Sequence, residues 1–137
     1  MSFGKSRSAS NGGVTIVQNN DVLGEITFAG ADGTDITSVA ARIFTQVDGT
    51  PGANDMPGRL VFSTTADGAA SPTTRLTIDS AGLVKLPDNG KFVAGAAADL
   101  QIFHDGNNSI ILEQGTGNLA IQSSGAEIQP VSYTHLR

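Results

Sequence analysis

One pair of residues has types that suit acid–base chemistry, His104 followed directly by Asp105. An imidazole titrates near neutral pH, and a carboxylate beside it can orient the ring for proton transfer. Adjacent strand residues point to opposite faces, however, so these two side chains are not expected to pair directly. We therefore predict a surface histidine at a turn and no catalytic residue. The alternative is a metal site on a threefold axis, where three copies of His104 meet.

Acidic residues in predicted turns form a second group, because carboxylate oxygens are suitable ligands for Ca²⁺. These residues are Asp32, Asp35, Asp48, Asp55, Asp67 and Asp105. The sequence contains no EF-hand loop and no Gly-Gly-x-Gly-x-Asp repeat. Asp before Gly is also favoured in tight turns for conformational reasons alone. We therefore interpret these residues as turn formers and predict no metal ligand and no cofactor.

Three arginines, Arg42, Arg59 and Arg75, stand within or beside apolar strand patterns. Such arginines commonly lay their methylene stems along a sheet and pair with carboxylates. The alternative is that they recognise acidic sugars on a cell surface. No Gly-rich segment matches a phosphate-binding loop, a dinucleotide motif or the Gly-x-Ser-x-Gly turn of a hydrolase. No cofactor-binding residue is therefore predicted.

Composition excludes several classes of protein. The 137 residues include 17 Gly and one Tyr but no Cys and no Trp, so there is no disulfide framework, zinc ribbon or thiol nucleophile. A net charge of −5 argues against a duplex nucleic-acid binder, which needs clustered Lys and Arg. No apolar run is long enough for a transmembrane helix, and residues 1–13 do not resemble a secretory signal. The few aromatic residues predict a thin core or one completed by partner chains.

Apolar and polar residues alternate with a period of two in many short segments, which predicts strands. The predicted strands are 14–17, 25–28, 42–47, 60–62, 76–78, 83–86, 100–102 and 119–121. Asp-Gly and Asn-Gly dipeptides between them favour turns with positive φ. Residues 35–41 could instead form a short helix capped by Thr37 or Ser38. The pattern as a whole predicts an all-β fold of short antiparallel strands and hairpins.

The pattern Leu-x-Ile-x-x-x-Gly occurs three times, at 76–82, 100–106 and 119–125, each time after a polar residue. Leu and Ile two positions apart share one face of a strand, and Gly ends the strand in a turn. Each unit is too small to bury its own apolar face, so units must stack on neighbours. The spacing is uneven, which excludes a regular solenoid. The predicted core is Ile26, Phe28, Ile43, Val47, Leu60, Phe62, Leu76, Ile78, Leu100, Ile102, Leu119 and Ile121.

Much of the chain resembles a known class of proteins. Residues 41–65, with Val47-Asp48-Gly49-Thr50-Pro51-Gly52 among them, resemble a segment common in tail-fibre and virion structural proteins of tailed bacteriophages, especially marine ones. Residues 75–84 resemble their recurrent Ile-Asp-x-x-Gly-x-Val module. Residues 99–111, followed by Gly115-Thr116-Gly117-Asn118-Leu119, resemble another. The resemblance covers roughly residues 20 to 128.

The resemblance implies an elongated, fibrous, β-rich homotrimer that is intertwined or built like a β-prism or β-helix. It implies a place near the distal end of a tail fibre, in the virion and acting extracellularly, with host attachment as the function and no enzymatic activity. The implied partners are other virion tail proteins and a host-surface glycan, without nucleic acid or membrane insertion. Such fibres often carry a C-terminal self-cleaving chaperone, which this sequence does not match, so a fragment of a longer protein is expected.

The predicted organisation has four parts. A flexible N-terminal tail, 1–13, precedes a first β-rich fibre module, 14–84, and a second β-rich repeat module, 85–129. Residues 130–137 resemble a translated sequencing adaptor of the kind seen at the ends of metagenomic proteins, and we expect them to be non-native. The alternative is an ordinary terminal tail.

Two other functions remain open at this point. A monomeric β-sandwich that binds carbohydrate would need exposed aromatic platforms, and the chain has no Trp. A depolymerase or lyase fragment of the tailspike type would need a cluster of carboxylates or histidines at a defined separation.

Overall fold

The computed structural model describes residues 1–125 and 127–128, and it is all-β, as predicted. The strands are β1 (Val22–Gly30), β2 (Ser38–Val47), β3 (Gly58–Thr64), β4 (Thr73–Ile78), β5 (Val84–Lys85), β6 (Lys91–Ala94), β7 (Leu100–His104) and β8 (Ser109–Glu113). Within these residues there is no helix that could span a bilayer. The predicted non-native tail, 130–137, lies outside the described residues.

The chain divides into two compact units, and the first comprises residues 1–90. Its sheet is an antiparallel meander in the order β1-β2-β3-β4-β5, so each strand pairs with the next one along the chain. The Asp-Gly dipeptides work as predicted, because Gly33, Gly49 and Gly68 all adopt positive φ in the connections. Short turns therefore account for much of the high glycine content of this unit.

The ends of the first unit differ from the predicted boundaries of the first module. Lys85 pairs with Thr77, so β5 belongs to the first sheet and the division falls after Gly90 rather than after residue 84. At the other end, the predicted tail 1–13 makes contacts of its own. The Arg7 backbone N–H donates to the Thr15 carbonyl at 3.1 Å, and the Arg7 guanidinium binds the Asp21 carboxylate at 2.6 and 2.7 Å.

The second unit begins at Lys91, and its sheet is an antiparallel meander in the order β6-β7-β8. Alternation in the sequence predicts β7 but not β6 or β8. Both contain consecutive apolar residues, Phe92-Val93 and Ile110-Ile111-Leu112, rather than an alternation. Because these two strands carry apolar side chains on both of their faces, the period-two test does not detect them.

Three local predictions were wrong. Residues 35–41 do not form a helix, because the Asp32 carboxylate accepts hydrogen bonds from the Thr34 and Asp35 amides and holds a tight turn that leads into β2. Residues 14–17 and 119–121 alternate like strands, but neither segment belongs to a strand in the structure. Alternation indicates which residues could share a face, and pairing additionally requires a free sheet edge.

The core of the single chain is small. Among the described residues, the buried apolar side chains are Val17, Phe44, Val47 and Val61. Of the twelve predicted core residues, only Val47 is buried in the single chain, and the others are half-buried or exposed. Val47 exchanges backbone hydrogen bonds with the preceding segment, since its N–H donates to Asp21 and its carbonyl accepts from Asn20, both at 2.9 Å.

Replacing Val47 should therefore test how much stability this small core provides. Val47 is completely buried, and Val47→Ala removes two methyl groups and leaves a cavity, so we expect a loss of about 2 kcal/mol in the free energy of unfolding. The matched control is Val14→Ala, since Val14 is 93% exposed and its replacement should change stability by less than about 0.5 kcal/mol. Urea titration followed by circular dichroism measures both. Equal losses for the two variants would contradict this description of the core.

Candidate functional site

One face of the first sheet is apolar and open. One residue from each of β1 to β4 lies in register with its neighbour and forms a row across the sheet, namely Ile26, Ile43, Phe62 and Leu76. Residues two positions away share the same face. The apolar face of the first sheet therefore consists of Ile26, Phe28, Ile43, Leu60, Phe62, Leu76, Ile78 and Val84.

The side chains of this face are only partly covered in the single chain. Ile26 is 47% exposed, Phe28 53% and Val84 56%, and the other members are half-buried. A continuous set of this size differs from the isolated exposed apolar residues that any protein surface carries. It is the kind of surface that marks an interaction site.

The opposite face of the same sheet, the mixed face, carries both polar and apolar side chains, and its long polar side chains cover the apolar ones. Its central row runs from Glu25 through Phe44, Val61 and Thr77 to Lys85. Phe44 and Val61 are nevertheless buried, at 7% and 4% exposure. The Arg42 guanidinium lies 4.5 Å from the centre of the Phe44 ring. Long polar side chains thus shield the mixed face, while the apolar face has no such cover.

The second sheet shows the same division. The apolar face of the second sheet consists of three residues in register across β6, β7 and β8, namely Phe92, Ile102 and Ile111. These side chains are 56%, 47% and 58% exposed. On the other face, Gln101 is buried and Lys91 covers the sheet. The Lys91 ammonium donates to the Gln101 side-chain oxygen at 2.7 Å and lies 4.4 Å from the centre of the Phe103 ring.

The three predicted arginines differ in their partners. Arg42 pairs with Glu25 at 3.5 Å and Arg59 pairs with Asp48 at 2.8 Å, as expected for strand arginines. Arg75 donates to the Thr64 hydroxyl at 2.9 Å and has no carboxylate partner among the described residues. Two of the three guanidinium groups are therefore already engaged within the chain. Recognition of acidic sugars by these residues stays a prediction.

A polar groove of about 350 Å³ opens near the end of the mixed face. It is lined by Asp48, Arg59, Thr74, Thr77, Asp79, Lys85, Leu86 and Pro87. Asp79 and Lys85 are not among the residues that the sequence predicts to have a functional role. The sequence does indicate a turn at this place, because Asp79 and Gly82 have the spacing of the first and last residues of a β-turn between two strands.

Both carboxylates of this groove are held in the ionised form. The backbone N–H of Ser80, and then the guanidinium of Arg59, lower the pKa of Asp48. The ammonium of Lys85, and then the backbone N–H of Leu83, lower the pKa of Asp79. Glycoside hydrolysis needs one carboxyl group whose pKa is raised so that it can donate a proton. Neither of these two carboxyl groups suits that role at neutral pH.

The side chains of His104 and Asp105 bond to other partners rather than to each other. The Asp105 carboxylate accepts hydrogen bonds from the backbone amides of Asn107 and Asn108, at 2.8 and 2.7 Å, and these bonds lower its pKa. His104 is exposed, and its Nδ1 lies 3.4 Å from the Ser109 hydroxyl oxygen. Over residues 1–125 and 127–128 of one chain, no three His, Cys, Asp or Glu side chains converge to hold a metal ion.

Acidic residues in the β1–β2 connection behave as turn formers. Hydrogen bonds from the Asp35 backbone amide, the Ser38 hydroxyl and the Thr34 backbone amide lower the pKa of Asp32 to about 2. The hydroxyl and amide of Thr37 lower the pKa of Asp35 in the same way. These oxygens satisfy donors of the chain itself, which agrees with the interpretation that they shape turns.

No protein-family model matches this sequence, and no curated protein matches it. The surfaces through which the chain can act are two open apolar faces, two self-covered mixed faces and an ion-paired groove.

Removing Arg59 should raise the pKa of Asp48. In Arg59→Ala the Ser80 amide remains, so this pKa should stay below its ordinary value of 3.8 but move toward it. A carboxyl group whose pKa is lowered by folding stabilises the fold above its unfolded pKa, and this contribution disappears as the pH falls through the folded pKa. Arg59→Ala should accordingly weaken the acid dependence of stability below about pH 4.

Carboxyl carbon shifts followed by NMR between pH 1.5 and pH 7 measure this change. Arg42→Ala is the control, because Arg42 contacts Glu25 and Phe44 and should leave the titration of Asp48 unchanged. An identical Asp48 titration in the native chain and in Arg59→Ala would contradict the assigned role of the guanidinium.

Proposed function

We propose that this chain is a structural segment of a phage tail fibre or a related virion appendage, which assembles as a homotrimer and presents a surface for host attachment. The observation that carries the proposal is the continuous apolar face of the first sheet, open in the single chain. The resemblance to phage tail-fibre segments supplies the number of chains and the biological setting. Other virion tail proteins and a host-surface glycan are the proposed partners.

The energetics favour association of copies. Burying the remaining exposed half of an Ile or Phe side chain contributes roughly 1 kcal/mol. Six side chains of the two apolar faces are about half exposed, namely Ile26, Phe28, Val84, Phe92, Ile102 and Ile111, so their burial contributes several kcal/mol toward the rotational and translational cost of association. Within a single chain these side chains contribute little, because so few other residues cover them. The interior that the chain lacks is thus supplied by further copies.

The self-covered mixed faces are the surfaces proposed to remain outside. Their charged groups already have partners within the chain, so they stay well hydrated and need no interchain contact. The groove beside Arg59 and Lys85 lies on this side of the first sheet. Because its carboxylates are ionised and paired, the proposed role of this surface is binding rather than glycan cleavage.

A carbohydrate-binding β-sandwich is less well supported. Sugar-binding platforms need an accessible aromatic ring, but Phe44 and Phe103 are each covered by a cationic side chain. Phe28 and Phe92 are accessible, yet both belong to the apolar faces and are surrounded by aliphatic neighbours in register. These positions are suited to packing against another apolar surface.

Sedimentation equilibrium of the refolded chain at micromolar concentration tests the proposal. We expect a species with three times the chain mass. Phe28→Lys places a charge on the apolar face of β1 and should shift the equilibrium to monomer by at least tenfold. Thr27→Lys is the matched control, because Thr27 is the exposed neighbour on the opposite face of the same strand and should leave the trimer intact.

A folded, stable monomer of the native chain at these concentrations would overturn the proposal and favour the β-sandwich alternative. Equal effects of the two lysine variants would also contradict it, since association would then not depend on the apolar face.

A further inference from the structure

The three Leu-x-Ile-x-x-x-Gly repeats have different structural fates. The first lies in β4, which pairs with β3 and β5, and the second lies in β7, which pairs with β6 and β8. Both are therefore interior strands with a neighbour on each side. The third, 119–125, belongs to no strand. Two of the three repeats therefore pair with a strand on each side, and the third pairs with none.

The third repeat has the properties of a strand without a partner. We define the donor segment as residues 118–122, which reads Asn-Leu-Ala-Ile-Gln. Leu119 is 43% exposed and Ile121 is 65% exposed. The backbone amides and carbonyls of this segment make no hydrogen bond to another described residue. Its backbone hydrogen-bonding capacity and its apolar side chains are both available to an added sheet edge.

The outer edge of β8 is a suitable acceptor. This strand pairs only with β7, and its centre, Ile110-Ile111-Leu112, carries no charge. Each outer strand of the second sheet carries one charged residue at an end, Lys91 on β6 and Glu113 on β8, but β6 is the shorter edge, with four residues against the five of β8. A strand added beside β8 with Ile121 next to Ile111 would extend the row of Phe92, Ile102 and Ile111 by one residue.

We infer that the donor segment becomes a strand on assembly and pairs with the β8 edge of a second copy of this chain. The inference rests on the proposed function, because it requires the chains to associate. The edge of its own β8 is only a few residues away, yet the donor segment does not pair with it in the single chain. A second copy of the chain presents an identical β8 edge. Strand addition supplies backbone hydrogen bonds and apolar burial together.

Hydrogen exchange measured by mass spectrometry on the assembled protein and on diluted, dissociated chains tests the pairing. We expect amides of 118–122 to exchange at least tenfold more slowly in the assembled protein. The turn at 66–70, exposed in the single chain, serves as the internal control and should exchange equally in both samples. Ala120→Pro removes a central N–H and should abolish the protection, whereas Ser124→Pro, just outside the segment, should preserve it.

Cysteine pairs distinguish a neighbouring chain from the segment's own chain, because the native sequence contains no Cys. Chains with Ile111→Cys are mixed with chains with Ile121→Cys, refolded together and oxidised. A disulfide-linked two-chain species supports the inference. As a control, Ile121→Cys chains mixed with Thr77→Cys chains should yield no such species.

The outcomes separate this inference from the proposed function. A trimer by sedimentation without protection of 118–122 overturns the inference and leaves the proposed function standing. A third sample is a chain that carries both Ile111→Cys and Ile121→Cys. Protection accompanied only by a disulfide within that chain also overturns the inference, since the segment would then pair with its own β8. A native chain that stays monomeric overturns both.

Discussion

Each of the two sheets has one face that its own chain covers and one that it does not. On the covered faces, Arg42 lies over Phe44 and Lys91 lies over Phe103, so a cationic side chain shields an aromatic ring from solvent. On the uncovered faces, rows of Ile, Leu and Phe stand in register, and Ile26, Phe28, Phe92, Ile102 and Ile111 remain about half exposed. The rest of the structure depends on this unequal cover, because the residues that would normally form a core are the exposed ones.

The small core of the first unit follows from this difference in cover between the two faces of the sheet. Its completely buried side chain, Val47, is held at the end of β2 by hydrogen bonds to the segment that precedes β1. Turns built on Asp32 and Asp79 satisfy their own backbone amides, so the connections need little apolar support. The mixed face closes through polar side chains that reach across strands. The hairpins are thus locally well specified, while the layer that would cover them is missing from the single chain.

Much of the fold was predictable from local pattern, and the errors have physical causes. Alternation found Ile26 and Phe28 in β1, and Asp-Gly found the turns at Gly33, Gly49 and Gly68. Alternation missed Ile110-Ile111-Leu112 because these consecutive apolar residues point to both faces of β8. It wrongly predicted strands at 14–17 and 119–121, because alternation is a property of one segment, whereas a strand also needs a second segment to pair with.

The candidate site was less predictable than the strands. Arg42 and Glu25 lie on neighbouring strands, and no local pattern specifies that their register brings them together. Asp48 and Ser80 meet across a long separation in sequence, which only the complete meander creates. The open apolar face was foreseen in part, since the thin composition predicted a core completed by partner chains. That face carries seven of the eleven predicted core residues that are not buried in one chain.

The central claim is that other copies of the chain cover the apolar faces, and the dependence of thermal stability on protein concentration tests it most directly. Folding that is coupled to association becomes more favourable as the chain concentration rises. The account predicts that the midpoint of thermal unfolding increases steadily when the concentration is raised a hundredfold. A midpoint that stays constant over that range, with full native circular dichroism at the lowest concentration, would contradict it.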